Sequence, residues 1–96
     1  MTQWDEATWL LAAIGDAHVH AGRFEQARQA LSDCMHCSGA IGNPFLHLRL
    51  GQAQFELGDL TGAADELTRA YMGAGEEIFQ EQASKYFDFL KTRIKI

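Results

Sequence analysis

GDAHVHAGRFEQARQALSDC (residues 15–34) and GQAQFELGDLTGAADELTRA (residues 51–70) are one pattern written twice. A shift of 36 residues lays Gly15 on Gly51, Ala17 on Ala53, Gly22 on Gly58, Ala27 on Ala63 and Leu31 on Leu67. Near matches follow at Ile14/Leu50, Phe24/Leu60, Ser32/Thr68 and Cys34/Ala70. The shared residues are small or apolar. That is the demand of stacked helix pairs, in which small residues let two helices approach closely, and internal repetition of this length is the mark of a repeat architecture.

Working outward, apolar residues recur at helical spacing along the chain, and no run alternates as a strand would. A first helix is expected over 6–21, stopping at Gly22, with Asp5 as N-cap and Trp4 stapled to Trp9. A second is expected over 24–37, ending near Ser38 and Gly39. The third starts with Asn43 as N-cap and Pro44 at the first helical position, where a missing N–H costs little, and ends at Gly58. A fourth over 60–72 stops at Gly73, and a last one covers 83–94. Residues 76–82 read as a separate short helical turn.

The pattern resembles the tetratricopeptide repeat family. That family's helix-turn-helix unit carries a small residue in mid helix A, a Gly at the turn, an aromatic after it, and small residues early and late in helix B. Gly15, Gly22, Phe24, Ala27, Leu31 and Cys34 fill these slots in one unit, and Gly51, Gly58, Leu60, Ala63, Leu67 and Ala70 in the next. The resemblance covers roughly residues 8–73. The period is 36 rather than the usual 34, so the turn between units is two residues longer, and Leu11 and His47 stand where the family has a Trp-type residue. The implied fold is all-α: two antiparallel helix pairs (about 8–37 and 44–73) in a short right-handed solenoid within a single domain, closed by a capping helix at about 83–94.

Charge narrows the function. The 96-residue chain is formally −5. Residues 1–81 carry four arginines against twelve carboxylates, a net −8, whereas residues 82–96 carry three lysines and one arginine against Asp88, a net +3. An acidic body opposes binding to a nucleic-acid backbone, which needs clustered cations. No basic-then-apolar leader opens the chain, and no apolar run reaches about 18 residues, so neither a signal peptide nor a membrane partner is expected. A cytoplasmic location is the expectation.

Both cysteines lie in "DCMHCSG" (33–39). A redox Cys-x-x-Cys sits at a helix N-terminus, where the dipole stabilises the thiolate; this pair falls at a C-terminus. A zinc site needs about four ligands converging on one point, and Cys34, His36 and Cys37 cannot all project from one side of a helix. Cys34 instead occupies the slot of Ala70 and reads as a small buried hydrophobe. Ser32, Ser38 and Ser84 lack the strand-turn-helix setting of a nucleophile elbow, and "GAIGN" and "GAG" read as turns rather than phosphate loops. The expectation is a protein without catalytic residues, metal or cofactor.

The resemblance implies that helix A lines a concave face. Trp9, Ala12, Asp16, Val19 and His20 would lie there in the first unit, and Phe45, Leu48, Gln52, Phe55 and Glu56 in the second, with Arg49 at the edge. Spacings of three, four, three and one put each set on one stripe. An aromatic centre with a polar rim is the composition of an interface hot spot. The same stripe is equally suited to cover by Tyr86, Phe87, Phe89 and Leu90 of the last helix, or by a second chain. The family's clamp for acidic chaperone tails is not expected, because its first two cation and amide positions fall on Ala12 and Asp16. Three readings follow: an adaptor docking a partner protein, basic in character and steered by Asp16 and Glu56; an immunity-type inhibitor of a cognate bacterial toxin; and a homodimer closing the groove.

Overall fold

Two turns of identical construction organise the chain. The structure, a computed structural model, describes residues 6–36 and 43–95. Helix α1 (Glu6–His20) meets α2 (Phe24–Cys34), and α3 (Pro44–Glu56) meets α4 (Leu60–Ala74). Gly22 and Gly58 both adopt positive φ, +76° and +84°. At each, the glycine N–H donates to the carbonyl three residues back, Val19 or Phe55, at 3.1 Å. The next N–H reaches five back, Arg23 to His18 at 2.8 Å and Asp59 to Gln54 at 2.9 Å. These bonds satisfy carbonyls that a helix end leaves orphaned, and only glycine enters the left-handed conformation without strain.

Close approach of the paired helices has one cause in both units. A Cβ placed on Gly15 would lie 2.5 Å from Leu31 Cδ2, and one on Gly51 would lie 2.8 Å from Leu67 Cδ2. The leucine of helix B fills the space that the glycine of helix A leaves. The repeated Gly and Leu are thus two halves of one contact.

Asn43 caps α3, its side chain accepting from Phe45 N–H at 2.9 Å, with Pro44 as the first helical residue. Asp59 caps α4 by accepting from Gly62 N–H at 3.1 Å. The chain then departs from expectation. Helix α4 runs through Gly73 to Ala74, and Gly75, at φ +73°, ends it. Gly73 instead sits against Pro44, where a Cβ would come within 2.8 Å of the ring. Glu76–Phe79 forms a single 3-10 turn, and α5 (Ser84–Lys91) is shorter than the 83–94 expected. Helix α2 ends at Cys34 rather than at 37. The expectations for Trp4, Asp5, Cys37, Ser38 and Gly39 lie outside the described residues.

The described residues form helices and turns without a strand. Two apolar clusters hold them. Ala12, Ala27, Leu31, Cys34, Leu46, Leu50 and Ala53 join α1, α2 and α3. Leu48, Leu67, Ala70, Phe79, Tyr86 and Leu90 join α3, α4 and the C-terminal segment. Helix α3 contributes to both and is buried from Leu46 to Ala53. The radius of gyration, 12.4 Å, is the value of about 12–13 Å expected for a folded domain of this length. No described helix is long and apolar enough to cross a membrane.

Candidate interaction surface

The ten residues expected to line a concave face divide into a covered set and an open set. The covered set belongs to α3. Leu48 is fully buried beneath Phe79, Tyr86 and Leu90. Phe55 is half-buried, its ring 5.5 Å from Tyr86 in an edge-to-face arrangement and 5.1 Å from Phe89. The Tyr86 hydroxyl donates to Glu56 Oε2 at 2.8 Å, and Lys85 pairs with the same oxygen. The C-terminal segment therefore occupies this part of the stripe, the alternative already raised by Tyr86, Phe89 and Leu90.

Arg49 is the centre of a buried polar network. It is 7% exposed. Its Nε donates to Asp16 Oδ1 at 2.7 Å, and its Nη1 donates to Gln52 Oε1 and Gln82 Oε1, both at 2.9 Å. Gln52 Nε2 donates to the same Gln82 oxygen at 2.9 Å. His20 Nε2 lies 3.5 Å from Arg49 Nη2. The guanidinium also lies over the Phe45 ring, 4.7 Å from its centroid. A planar fork with several donors suits this role, since burial of the charge is tolerable only when its donors are matched. The network ties α1, α3 and the loop before α5 together, so Arg49 and Gln52 serve the interior.

The carboxylates expected to steer a basic partner are engaged within the chain. Asp16 neutralises Arg49. Burial of Glu56 pushes its carboxyl up, but the hydrogen bonds from Lys85 and Tyr86 and the Lys85 charge outweigh that and hold it below its ordinary value. Tyr86 is pushed the other way, far above the usual phenol range, by burial first and then by the Glu56 hydrogen bond and charge.

The open set lies between α1 and α3. Trp9 is 63% exposed and Phe45 40%. With Ala12, Ala13, Asp16 and Asn43 they line a shallow, mostly apolar cavity of about 370 Å³. That is the volume of a small ligand pocket or of one or two large side chains. His20 is exposed at its edge, while Val19 packs back onto the first core cluster. Cys34 is fully buried in that same cluster, its thiol donating to the Thr8 carbonyl at 3.6 Å. Two further features were not foreseen from sequence: Gln82 as a network member, and His47, whose Nδ1 lies 2.5 Å from Glu66 Oε1 in a largely buried pair joining α3 to α4. A lone Gln in a loop and a His in a helix carry no local sign of such partners. No protein-family model matches the chain, and neither does a curated protein or a solved structure.

Proposed function

We propose that the chain is a non-catalytic protein-interaction module of tetratricopeptide-like build. On this reading its open groove between the two A helices docks a segment of a partner protein. The observation that carries it is the apolar cavity lined by Trp9, Ala12, Ala13 and Phe45, with Trp9 63% exposed. A tryptophan held open beside a second aromatic ring, on a rigid helix pair, is the composition of a binding hot spot. The ligand is a segment carrying a large apolar side chain for the cavity. Basic residues flanking that side chain suit the −8 body, which attracts them at long range even though Asp16 is locally neutralised. The repeat register, with equivalent turns at Gly22 and Gly58 and equivalent contacts at Gly15 and Gly51, supports the kinship in build.

The test is quantitative. A partner captured from the native cell is purified and titrated against the wild type and the Trp9→Ala/Phe45→Ala variant. Loss of two hot-spot aromatics weakens binding about 30-fold or more with helicity unchanged, and Trp9 fluorescence shifts to the blue on binding. Equal affinity of variant and wild type sinks the reading. Phe55, which packs on Tyr86 and Phe89, is the wrong probe, since its removal opens the core.

A further inference from the structure

The two units share one register, and the second carries large side chains where the first carries alanines. On α3 the Arg49 guanidinium lies 4.7 Å from the centroid of the Phe45 ring, four residues back. Its Nη1 donates to Gln52 Oε1, three residues on, at 2.9 Å. Leu48 stands beside it, fully buried. The 36-residue shift lays Trp9, Ala12, Ala13 and Asp16 of α1 on Phe45, Leu48, Arg49 and Gln52. Both stretches are regular helix, so the spacings of three and four place the four residues alike in each. The first unit thus keeps the ring and the acceptor and lacks the guanidinium between them.

The groove cavity of about 370 Å³ lies at this difference. Trp9, Ala12, Ala13 and Asp16 all line it. Trp9 is 63% exposed and Ala13 is exposed. Asp16 uses one oxygen within the chain: Oδ1 accepts from Arg49 Nε at 2.7 Å, and His20 Nε2 lies 3.4 Å from that same oxygen. Among the described residues Oδ2 takes no hydrogen bond, and the side chain is 35% exposed. An aromatic ring, an accepting oxygen and a short apolar wall therefore meet in one cavity.

We infer that this cavity is an arginine seat. A segment of the partner protein supplies the guanidinium that the first unit lacks at residue 13, with an apolar side chain next to it where the second unit has Leu48. The inference rests on the groove reading above and names the ligand for it. The guanidinium stacks on Trp9 as that of Arg49 stacks on Phe45, and it donates to Asp16 Oδ2 as Arg49 donates to Gln52. Tryptophan is the better ring for a cation. A planar, weakly hydrated guanidinium can stack and donate at once, whereas a lysine ammonium is a compact and strongly hydrated charge. Arg49 already balances the charge of Asp16. The incoming cation is therefore held by stacking, by its hydrogen bond and by the net −8 of residues 1–81, not by an isolated ion pair. The same acidic field turns an anionic segment away.

The test is an NMR titration of the full chain with N-acetyl-arginine amide, N-acetyl-lysine amide and N-acetyl-leucine amide, read at the Trp9 indole and the backbone amides of residues 12–16. The arginine amide binds with Kd of about 1 mM, about fivefold tighter than the lysine amide. Trp9→Leu keeps the cavity apolar and erases that preference, while binding of the leucine amide changes by less than about twofold. Ala13→Arg, at an exposed position, supplies the side chain within the chain and weakens binding of the arginine amide about tenfold, with circular dichroism unchanged. If Ala13→Arg loses helicity, Trp9→Leu decides alone. Equal affinity for the arginine and lysine amides, or arginine binding indifferent to Trp9→Leu, overturns the inference, as does indifference to a folded Ala13→Arg. Binding of the leucine amide alone also overturns it and leaves the groove reading standing. If none of the three binds, the inference falls, and the groove reading is decided separately by the titration of the captured partner.

Discussion

Gly51 and Leu67 touch so closely that a Cβ on the glycine would lie 2.8 Å from Leu67 Cδ2 and 3.1 Å from its backbone nitrogen. The first unit repeats the contact with Gly15 and Leu31, but there the near atoms are all side chain. Gly51→Ala therefore destabilises, by about 2 kcal/mol, because overpacking costs more than the roughly 1 kcal/mol that alanine's helix propensity returns. In Gly15→Ala the overlap is with the Leu31 side chain alone, so the fully buried leucine must shift within the core, and adding Leu31→Ala cancels part of the combined cost. Urea denaturation of the four variants, read as a double-mutant cycle, checks both statements.

Arg49→Met removes the donors that satisfy Gln52 and Gln82 and strands Asp16. Stability falls by about 2–4 kcal/mol, toward the lower end because Asp16 is partly hydrated. Arg49→Lys fails to restore it, since one ammonium cannot span Asp16, Gln52 and Gln82 at once. Gln82→Ala costs less and acts locally: hydrogen exchange quickens across Ser84–Lys91 before it does in α2. Equal quickening in both helices contradicts the view of Gln82 as a fastening for the C-terminal segment.

Phe45 and Phe55 stand near opposite ends of α3 and have opposite fates. Phe55→Ala leaves a hole beside Tyr86 and Phe89 and costs about 2–3 kcal/mol, below the full-burial value because the ring is half-buried. Phe45→Ala loses a stacked guanidinium and little packing, a change of under about 1 kcal/mol. Thermal melts of the two single variants separate them.

The Glu56–Tyr86 bond sets stability slopes at both ends of the pH scale. The Glu56 carboxyl is held below its ordinary 4.5, so its contribution is present above that value and drains away as pH falls beneath it. The Tyr86 phenol is held above its ordinary 10, so its contribution is intact below 10 and drains away as pH rises beyond it. In Glu56→Gln the acid slope flattens, and Tyr86 ionises at lower pH in absorbance titration. An acid slope unchanged by Glu56→Gln contradicts the assignment of that slope to the Glu56–Tyr86 bond.

Cys34 packs among Ala27, Leu31 and Leu46 with no exposed surface. In a Cys37→Ser background its thiol reacts with a disulfide probe about a thousandfold more slowly in buffer than in urea, at a rate set by opening of the fold. Cys34→Ala, the residue of the second unit at this slot, costs no more than about 1 kcal/mol.

The helices were readable because their signals are local. Asn43 and Pro44 announce the start of α3, and Gly22 and Gly58 announce turns that only a residue tolerant of positive φ can make. The repeated Gly and Leu were readable as a pair, though not as a mutual contact. The stop at Gly73 was misread because a close approach to Pro44 and a turn both favour glycine, and the sequence does not distinguish them. The site was only half legible. The family resemblance implied that Trp9, Phe45, Leu48 and Phe55 share one face, but which of them stays open depends on where residues 76–90 fold back. Arg49 looked like a rim charge because its nearby partners, Phe45 and Gln52, do not reveal the others; Asp16 and Gln82 lie 33 residues away in either direction.

Helix α3 sends Leu46, Leu50 and Ala53 into one cluster and Leu48 into the other. Neither half of the chain owns a complete interior, because each borrows a wall from the same helix. A fragment ending near residue 42 lacks the strut that its own leucines need, and a fragment beginning at Asn43 has a naked flank. The expected consequence is a single cooperative melt in spite of the modular sequence, and unfolded peptides rather than two small domains when the chain is cut between the units, both read by circular dichroism.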